Sequence, residues 1–361
     1  MSGLDPREGF SHDELQLAAR NHGIPLEALR YDVTPLGLHY LLTHYDIPDV
    51  DPERWRLEVG GELDQPLSLS LADLRSREAV TLHVTMECAG NGRAHMLPRP
   101  LSQPWLVEAV GSAQWTGTPL AGLLEEAGVR DQAVEILFAG LDHGVENGIE
   151  QTYERSLAIG DAMRSEVLLA YEINGQPLPP QHGYPLRLIV PGWYGMTHVK
   201  WLHRITALNE PFRGYQQEAA YRLLEHEADP GIPLTRMLPR SLIVPPGIPD
   251  FMTRRRFVEA KPGPIEGRAW SGFGSIAKVE VSTDGGASWD DAKLGEQTSE
   301  WAWRPWRYDW HSPEPGDHEL CSRATDAAGN RQPTEVGWNL KGYANNAVQR
   351  IPVTVHPLPP R

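Results

Sequence analysis

The sequence predicts an α+β protein of two domains, in which a mixed-sheet domain is followed by an antiparallel β-sandwich of immunoglobulin type. Three observations lead to this prediction. The 361 residues suit two domains of about 150 residues each. From about residue 55 to 208, short β-rich runs alternate with helical stretches, whereas the last third consists of short strands and glycine-rich turns. We place the first domain at residues 1–230 and the second at residues 231–361.

The first domain contains both strands and helices. The apolar run at residues 186–190 is typical of a strand that is buried on both faces. Residues 120–128 predict a helix that ends on a glycine cap. The segment VTLHVTMEC is predicted to be a strand that ends at Cys88. Such a mixture favours a mixed sheet, in an α+β or an α/β domain.

Prolines mark the boundary to the second domain, because eight of them between residues 230 and 264 prevent regular helix. Beyond them, AKVEVSTDGGASW places Val279 and Val281 on one face of a strand. The following Asp284-Gly285-Gly286 is typical of a hairpin turn. We expect the six tryptophans of this region to lie mainly in the core of the sandwich: Trp270, Trp289, Trp301, Trp303, Trp306 and Trp310.

Charge and cysteine content exclude several classes of protein. A net charge of −15 argues against nucleic acid or an anionic membrane surface as a partner. The two cysteines, Cys88 and Cys321, cannot form a disulfide framework, and the absence of C-x-x-C excludes a zinc knuckle or a c-type haem. The beginning of the chain shows no apolar leader, so we expect a cytoplasmic location. The run Arg254-Arg255-Arg256 is interpreted as a solvated charge cluster.

Cys88 lies where a strand meets the loop Ala89-Gly90-Asn91-Gly92-Arg93. Glycines in such a loop permit close backbone approach to a ligand. Backbone N–H groups and a guanidinium beside the sulfur would lower the pKa of the thiol and make it a metal ligand. The alternative is that Cys88 is a small buried apolar residue, as most free cysteines are.

A second cluster of cations and hydrogen-bond donors lies in QHGYPLRLIVPGWYGMTHVKWL, where it comprises His182, Arg187, His198 and Lys200. Arginine offers a bidentate fork to phosphate and lysine a point charge. The cluster therefore predicts a phosphorylated ligand. The alternative is a surface strand with scattered basic residues.

These segments resemble the sulfite oxidase family, the eukaryotic-type molybdopterin enzymes. ECAGNGR resembles its cysteine loop and AYEINGQPLPPQHGYPLRLIVPGWYGMTHVKWL its cofactor-binding stretch. GRAWSGFGSIAKVEVSTDGGASW, WAWRPW, RATDAAGNRQP and WNLKGYANN resemble its final domain. The resemblance covers residues 34 to 356 in order. It implies a molybdopterin-binding domain of the sulfite oxidase fold, followed by an immunoglobulin-like dimerisation domain.

The resemblance also implies roles for individual residues. Cys88 would be the protein thiolate on a molybdenum held by molybdopterin. The positions at which the family binds the pterin and its phosphate are His44, Asp142, His182, Arg187, His198 and Lys200. Tyr221, Arg93, Trp105 and Lys341 fall where the family has catalytic-pocket residues. The simpler alternatives are a surface aromatic for Tyr221 and core packing for Trp105.

Three positions depart from the family pattern. Leu42 replaces an arginine that binds substrate, Thr197 replaces a frequent arginine, and Ala220 replaces the usual acid before the tyrosine. Loss of one guanidinium that contacts an anion costs about 1.5–3 kcal/mol of binding. We therefore expect either weak affinity for sulfite or a less charged sulfur substrate.

The predicted function is a homodimeric molybdenum oxidoreductase that transfers an oxygen atom to sulfite and passes electrons to an external acceptor such as a cytochrome c. The chain shows no G-x-G-x-x-G after a strand and no attached haem or flavin module, so a separate electron partner is expected. The alternatives are oxidation of another sulfur compound, reduction of nitrate or a sulfoxide, and a non-catalytic cofactor-binding protein.

Overall fold

The computed structural model describes residues 9–311 and 313–357. The first eight residues, on which the expectation of a missing leader partly rests, lie outside this range. Within it, no helix is both long enough and apolar enough to cross a membrane.

Four α-helices are present among the described residues, and all are short: α1 (His12–Arg20), α2 (Leu71–Arg75), α3 (Leu120–Ala127) and α4 (Ile159–Ala162). Ser11 and Glu14 form a capping box at the start of α1. Helix α3 ends because Gly128 takes a left-handed conformation with φ of 67°. This confirms the predicted helix and its glycine cap. Most of the remaining regular secondary structure of the described residues is β-strand.

The first sheet is mixed, and its strands have the order β2-β1-β10-β5-β6. Strands β1 and β10 are parallel, and the other neighbours are antiparallel. The strands are β1 (Leu57–Gly61), β2 (Leu67–Leu69), β5 (Glu135–Glu146), β6 (Ile149–Ala158) and β10 (Leu202–Leu208). The register between β5 and β10 or β6 is interrupted after Ala139, and this irregularity lies beside the candidate site.

The second sheet of the first domain is antiparallel, with the order β3-β4-β7-β8 and with β9 also paired to β7. Its strands are β3 (Val80–Glu87), β4 (Val110–Pro119), β7 (Leu168–Ile173), β8 (Gln176–Pro177) and β9 (Arg187–Ile189). One buried apolar cluster joins the two sheets through Phe138, Leu169 and Leu188. As predicted, VTLHVTMEC forms a strand, and Cys88 is the first residue after it.

The second domain is a β-sandwich of a four-stranded and a six-stranded sheet. The four-stranded sheet comprises β13 (Arg240–Ile243), β16 (Gly263–Trp270), β20 (Arg304–Trp310) and β19 (Lys293–Leu294). The six-stranded sheet comprises β14 (Ile248–Pro249), β15 (Arg256–Glu259), β22 (Gln349–His356), β21 (Gly316–Asp326), β17 (Ile276–Ser282) and β18 (Asp290–Asp291). Val279 and Val281 are both buried in the core between the sheets, which confirms the predicted strand face.

The two domains share a hydrophobic core. A hairpin of β11 (Arg222–Leu223) and β12 (Ile232–Pro233) spans the predicted boundary at residue 230. Next to it, a buried cluster combines Ala89 and Tyr221 of the first domain with Trp270 and Trp303 of the second. Of the six tryptophans expected in the sandwich core, only Trp306 is a fully buried member of that core. Trp270 and Trp303 instead join the domains.

Candidate active site

The loop after β3 presents Cys88 at the edge of the second sheet. Its sulfur-bearing side chain is buried, and the loop closes through hydrogen bonds from the Asn91 amide to the Cys88 carbonyl at 3.0 Å and from the Arg93 amide to the Gly90 carbonyl at 3.1 Å. Gly92 has φ of 93°, and a Cβ there would lie 2.7 Å from the carbonyl oxygen of Asn345. A glycine is therefore required at this position.

The Glu87 carboxylate holds this loop in place through an ion pair with Arg240 of the second domain. Nε of Arg240 lies 2.6 Å from Oε1 of Glu87, and both side chains are almost completely buried. Nε1 of Trp270 donates to the other Glu87 oxygen at 2.9 Å, and Nδ2 of Asn91 donates to Oε1 at 3.0 Å. The carboxylate that precedes Cys88 is therefore fixed by groups from two domains.

A small cavity of about 40 Å³ lies beside Cys88. Eight of the eleven predicted site residues line it: His44, Cys88, Asp142, His182, Arg187, His198, Lys200 and Tyr221. They come from five separate parts of the chain, and both sheets of the first domain contribute. The structure thus brings the cysteine loop and the basic cluster to one place.

Burial reverses the expected behaviour of the Cys88 thiol. We expected the loop to lower its pKa, but desolvation is the largest influence and raises the pKa of Cys88. The Arg93 guanidinium, the Gly90 amide and the Trp105 indole oppose that rise. A bound cation would be needed to deprotonate a thiol in this position outright.

Arg187 and Lys200 make the cavity suitable for an anion. The guanidinium of Arg187 is buried, and its hydrogen bonds to described residues are long, to the His182 carbonyl (3.4 Å) and to the Met86 sulfur (3.7 Å). Its guanidinium carbon lies 5.1 Å from the centre of the Trp115 ring, and burial lowers the pKa of Arg187 to about 10. The Lys200 ammonium donates to the carbonyls of Leu42 at 2.9 Å and Gln181 at 3.1 Å, which leaves one of its three protons for a ligand.

Asp142 is the acidic group of the cavity. The interruption of strand pairing after Ala139 turns its side chain inward, and burial raises its pKa, whereas burial lowers the pKa of neighbouring Lys200. Attraction between the two charges opposes both shifts. Oδ1 of Asp142 has no hydrogen-bond partner among the described residues, so this oxygen can accept from a ligand.

The histidines of the cavity are neutral. Burial lowers the pKa of His182 to about 2 and that of His198 to about 3. The structure gives His198 a different role from the phosphate donor that we expected. Its Nδ1 accepts from the Val190 amide at 3.1 Å, so Nε2 carries the proton and donates to the Trp193 carbonyl at 3.1 Å. His198 therefore supports the cavity wall.

Tyr221 follows a π-helical turn, Gln216–Ala220, and its buried hydroxyl is hydrogen-bonded to Nε2 of His44. Burial raises the pKa of Tyr221 well above its usual value and lowers that of His44 to about 3. The pair is therefore uncharged. The structure excludes the alternative of a surface aromatic for Tyr221.

Lys341 is not one of the described residues that line the cavity. Its ammonium donates to the carbonyls of Ala219 and, at 3.1 Å, Ala220, in the turn just before Tyr221. We expected a cation that faces the substrate. The structure instead shows Lys341 holding the backbone that positions Tyr221, because the π-helical turn leaves carbonyls free at its end.

Arg93 and Trp105 also lie behind the cavity wall. Arg93 donates to the carbonyls of Lys341 at 2.8 Å and Gln103 at 3.0 Å, and its guanidinium carbon lies 5.0 Å from the centre of the Tyr343 ring. Trp105 is packed in the same apolar cluster as Cys88. Arg93 is part of the cysteine loop and Trp105 packs beside it, so both can influence Cys88 without lining the cavity.

Several supporting residues were not predicted from the sequence. Arg155 is buried, donates to the Gln216 carbonyl at 2.5 Å and lies 5.8 Å from the Tyr221 ring centre. Tyr153 stacks near His44, with 4.9 Å between the ring centres. Tyr153 and Arg155 are two residues apart in β6, and alternate residues of a strand share a face. This spacing could have indicated that both side chains point to the same side of the sheet. No local signal identified Arg240.

The donor set fits a phosphorylated pterin that carries a metal. Cys88 offers one sulfur, Arg187 and Lys200 offer positive charge, and Asp142 offers an acceptor for pterin N–H groups. Nε of Arg187 and Oδ1 of Asp142 are buried and have no partner among the described residues. Buried polar atoms rarely lack a hydrogen-bond partner in folded proteins, because each unsatisfied atom destabilises the fold by about 1–3 kcal/mol. A ligand with both donors and acceptors would satisfy them.

Comparison with known families gives two consecutive matches. Residues 44–216 match the family described as the oxidoreductase molybdopterin binding domain. Residues 236–356 match the Mo-co oxidoreductase dimerisation domain. The cavity residues from His44 to Lys200 lie in the first match, and the sandwich lies in the second.

Several known proteins are similar to this chain over most of its length. Mitochondrial sulfite oxidase of Rattus norvegicus is 36% identical over 350 residues, which cover 90% of this chain and 62% of the relative. Sulfite oxidase of Gallus gallus is 34% identical over 88% of this chain and 72% of the relative. The chain thus spans about three fifths of the rat protein. The sulfane dehydrogenase SoxCD of Paracoccus pantotrophus is 26% identical, with a TM-score of 0.78 over 97% of this chain and 91% of that one. The chain belongs to the sulfite oxidase family of molybdopterin-binding oxidoreductases.

Proposed function

We propose that this protein holds a molybdenum–pterin cofactor in the cavity beside Cys88 and oxidises sulfite to sulfate. The observation that carries the proposal is the convergence of one buried cysteine with Arg187, Lys200 and Asp142 around a single cavity. The bound cofactor would supply the two-electron redox chemistry that side chains lack.

The chain's own residues would hold and orient the reacting groups. Cys88 would bind the metal through its thiolate, and Arg187 and Lys200 would bind the cofactor phosphate. Asp142 would accept hydrogen bonds from the pterin. Tyr221, held by His44 and by the turn that Lys341 supports, would place its hydroxyl against the substrate in a site from which water is excluded.

Leu42 supports a second candidate, the oxidation of a less charged sulfur compound. Its side chain lines the cavity where the family motif has an arginine. The similarity to a sulfane dehydrogenase is in keeping with such a substrate. A panel of sulfite, thiosulfate, a sulfoxide and nitrate, assayed with an artificial electron carrier, separates the candidates by kcat/KM.

We further propose that electrons pass to a separate protein acceptor, such as a cytochrome c, and that two chains form a homodimer. The match of the sandwich to a dimerisation domain supports the second point, and closed two-fold pairs are the commonest oligomers.

The central experiment compares two cysteine variants. Protein from a host that makes the cofactor should contain about one molybdenum per chain and reduce ferricyanide when given sulfite. Cys88→Ser should keep the fold and most of the pterin but lose turnover, because a hydroxyl does not replace the metal-bound thiolate. Cys321→Ser, at the other buried free cysteine, in β21 of the second domain, is the matched control and should retain activity. Absence of molybdenum, or full activity of Cys88→Ser, would contradict the proposal.

A further inference from the structure

The buried arginines of this protein fall into two groups. Of the seven that are buried among the described residues, four form an ion pair with a carboxylate: Arg99, Arg240, Arg256 and Arg268. Arg256 belongs to the arginine run that we expected to be solvated, but it is buried, and its guanidinium lies 3.1 Å from a Glu27 oxygen. The other three form no ion pair with a described residue: Arg93, Arg155 and Arg187.

The three arginines without a carboxylate partner all adjoin the candidate active site. Arg187 lines its cavity, and Arg93 belongs to the cysteine loop. Arg155 lies two residues after the cavity residue Tyr153 in β6, and alternate residues of a strand share a face. Its guanidinium carbon lies 5.8 Å from the ring centre of Tyr221, which also lines the cavity. Buried positive charge without a counter-ion is therefore concentrated at one place.

Arg155 is the member of this group that the proposed cofactor site leaves unused. The residue is 2% exposed, its Nη1 donates to the Gln216 carbonyl at 2.5 Å, and its Nε has no partner among the described residues. Burial lowers the pKa of Arg155. The aromatic residues around it give no counter-charge, because burial raises the pKa of each phenol: Tyr153, Tyr221 and Tyr343. A buried charge in this state destabilises the fold unless an opposite charge comes close.

We propose that Arg155 supplies the positive charge that holds a small oxyanion of sulfur beside Tyr221. This inference rests on the proposed function and narrows its substrate class, because it favours sulfite over an uncharged sulfur compound. The family motif has a substrate-binding arginine at the position of Leu42, whose side chain lines the cavity without a charge. Arg155 comes from a different part of the chain and returns one guanidinium to the surroundings of the same cavity.

Arg155 acts across the ring of Tyr221, since it is not one of the described residues that line the cavity. A ring face attracts a cation without neutralising it, so the charge remains available to an anion on the other side. Attraction between charges is also stronger where water is excluded. Arg93 lies 5.0 Å from the ring centre of Tyr343, which is 5.4 Å from that of Tyr221. A second guanidinium thus adds to the positive potential on this side, and Arg155 determines specificity for an anion.

Steady-state kinetics on cofactor-loaded protein gives the first test. Arg155→Met should raise the KM for sulfite about tenfold and change kcat less, because the charge acts on binding of the anion. Arg155→Gln, which keeps a donor for the Gln216 carbonyl, should behave like Arg155→Met, whereas Arg155→Lys keeps the charge and should recover most of the affinity. The matched control is Arg204→Met, which removes a 49% exposed arginine paired with Glu154 of β6. It should leave the KM unchanged, because solvent screens that charge.

Sulfate binding gives a second test that needs no turnover. Sulfate should raise the melting temperature of loaded wild-type protein, because a ligand that binds only the folded state stabilises it. Arg155→Met should need about tenfold more sulfate for the same rise. Since sulfate also stabilises folded proteins in general, the response is compared with that of Arg204→Met, which should match the wild type.

The two tests separate this inference from the proposed function. Equal KM values and equal sulfate responses in wild type and Arg155→Met would overturn the inference alone. A wild type that oxidises no sulfite, but shows a sulfate response that Arg155→Met lacks, would reject sulfite oxidation and keep Arg155 as an anion-binding residue. If Arg155→Lys and Arg155→Met both lose kcat at an unchanged KM, Arg155 merely supports Tyr221 and the proposal is wrong.

Discussion

Leu42 contributes both its backbone and its side chain to the wall of the cavity. Its carbonyl oxygen accepts a hydrogen bond from Lys200, so the backbone helps to hold Lys200 in the cavity wall. Its side chain adds apolar surface to the same cavity. Backbone and side chain at this position therefore serve separate purposes, and the side chain can be replaced without removing the lysine contact.

We predict that Leu42→Arg lowers the KM for sulfite roughly ten- to hundredfold, because a charged hydrogen bond to an anion contributes about 1.5–3 kcal/mol. Steady-state kinetics on cofactor-loaded protein measures the effect. Leu42→Met is the control of similar volume and should change KM little. An unchanged KM in Leu42→Arg would indicate that sulfite does not bind beside this residue.

At the scale of elements, the cysteine loop depends on strands from both domains. It leaves β3 after Glu87, and β13 supplies Arg240, which also donates to the Asn91 carbonyl at 3.3 Å. The segment after Leu340 closes the other side, because the Ala344 amide donates to the Ala89 carbonyl at 2.8 Å. The loop therefore has its conformation only when the sandwich is in place.

We predict that Arg240→Met lowers the free energy of unfolding by about 3–5 kcal/mol, because it leaves the Glu87 carboxylate buried without its partner. Urea unfolding measures the loss. Glu87→Gln combined with Arg240→Met should recover part of it, since the double variant removes both charges. Arg77→Met breaks the more exposed pair with Glu126 and should cost no more than about 1 kcal/mol. A small effect of Arg240→Met alone would show that the ion pair does not secure the loop.

At the scale of the whole molecule, the two domains form one structural unit. Trp270 and Trp303 pack against Tyr221 and Ala89 in a cluster that belongs to neither domain alone. Nε1 of Trp303 donates to the Asp32 carbonyl at 2.8 Å, and the Thr85 amide donates to the Trp301 carbonyl at 2.8 Å. Separation of the domains would expose this cluster and remove the support of the candidate site.

We therefore predict a single cooperative unfolding transition for the full chain, with coincident curves from tryptophan fluorescence and far-ultraviolet circular dichroism. A fragment of residues 1–230 should fail to retain the cofactor and should aggregate, because it exposes the shared apolar cluster. Two separate transitions, or a soluble fragment that holds molybdenum, would show that the domains are independent.

Local patterns were sufficient for much of the architecture. The alternating β-rich runs led to the correct fold class, and the glycine after α3 gave the correct end of that helix. The prolines after residue 230 marked the change from mixed α and β structure to β-strands alone. The motifs also identified eight residues that line one cavity. These features depend on residues that are close together in the chain, and for that reason the sequence alone can predict them.

Tertiary structure decided what each side chain does. Burial raises the pKa of Cys88, although the loop sequence predicted that it would be lowered. Both ring nitrogens of His198 are hydrogen-bonded to backbone groups, so this side chain supports the cavity wall. The Lys341 ammonium donates to carbonyls of the π-helical turn and does not line the cavity. The sequence by itself determined the family and the fold class, and it identified eight of the residues that line the cavity. Solvation and long-range packing depend on segments that are far apart in the chain, and for that reason only the folded structure decided which of those residues face a ligand and which hold the others.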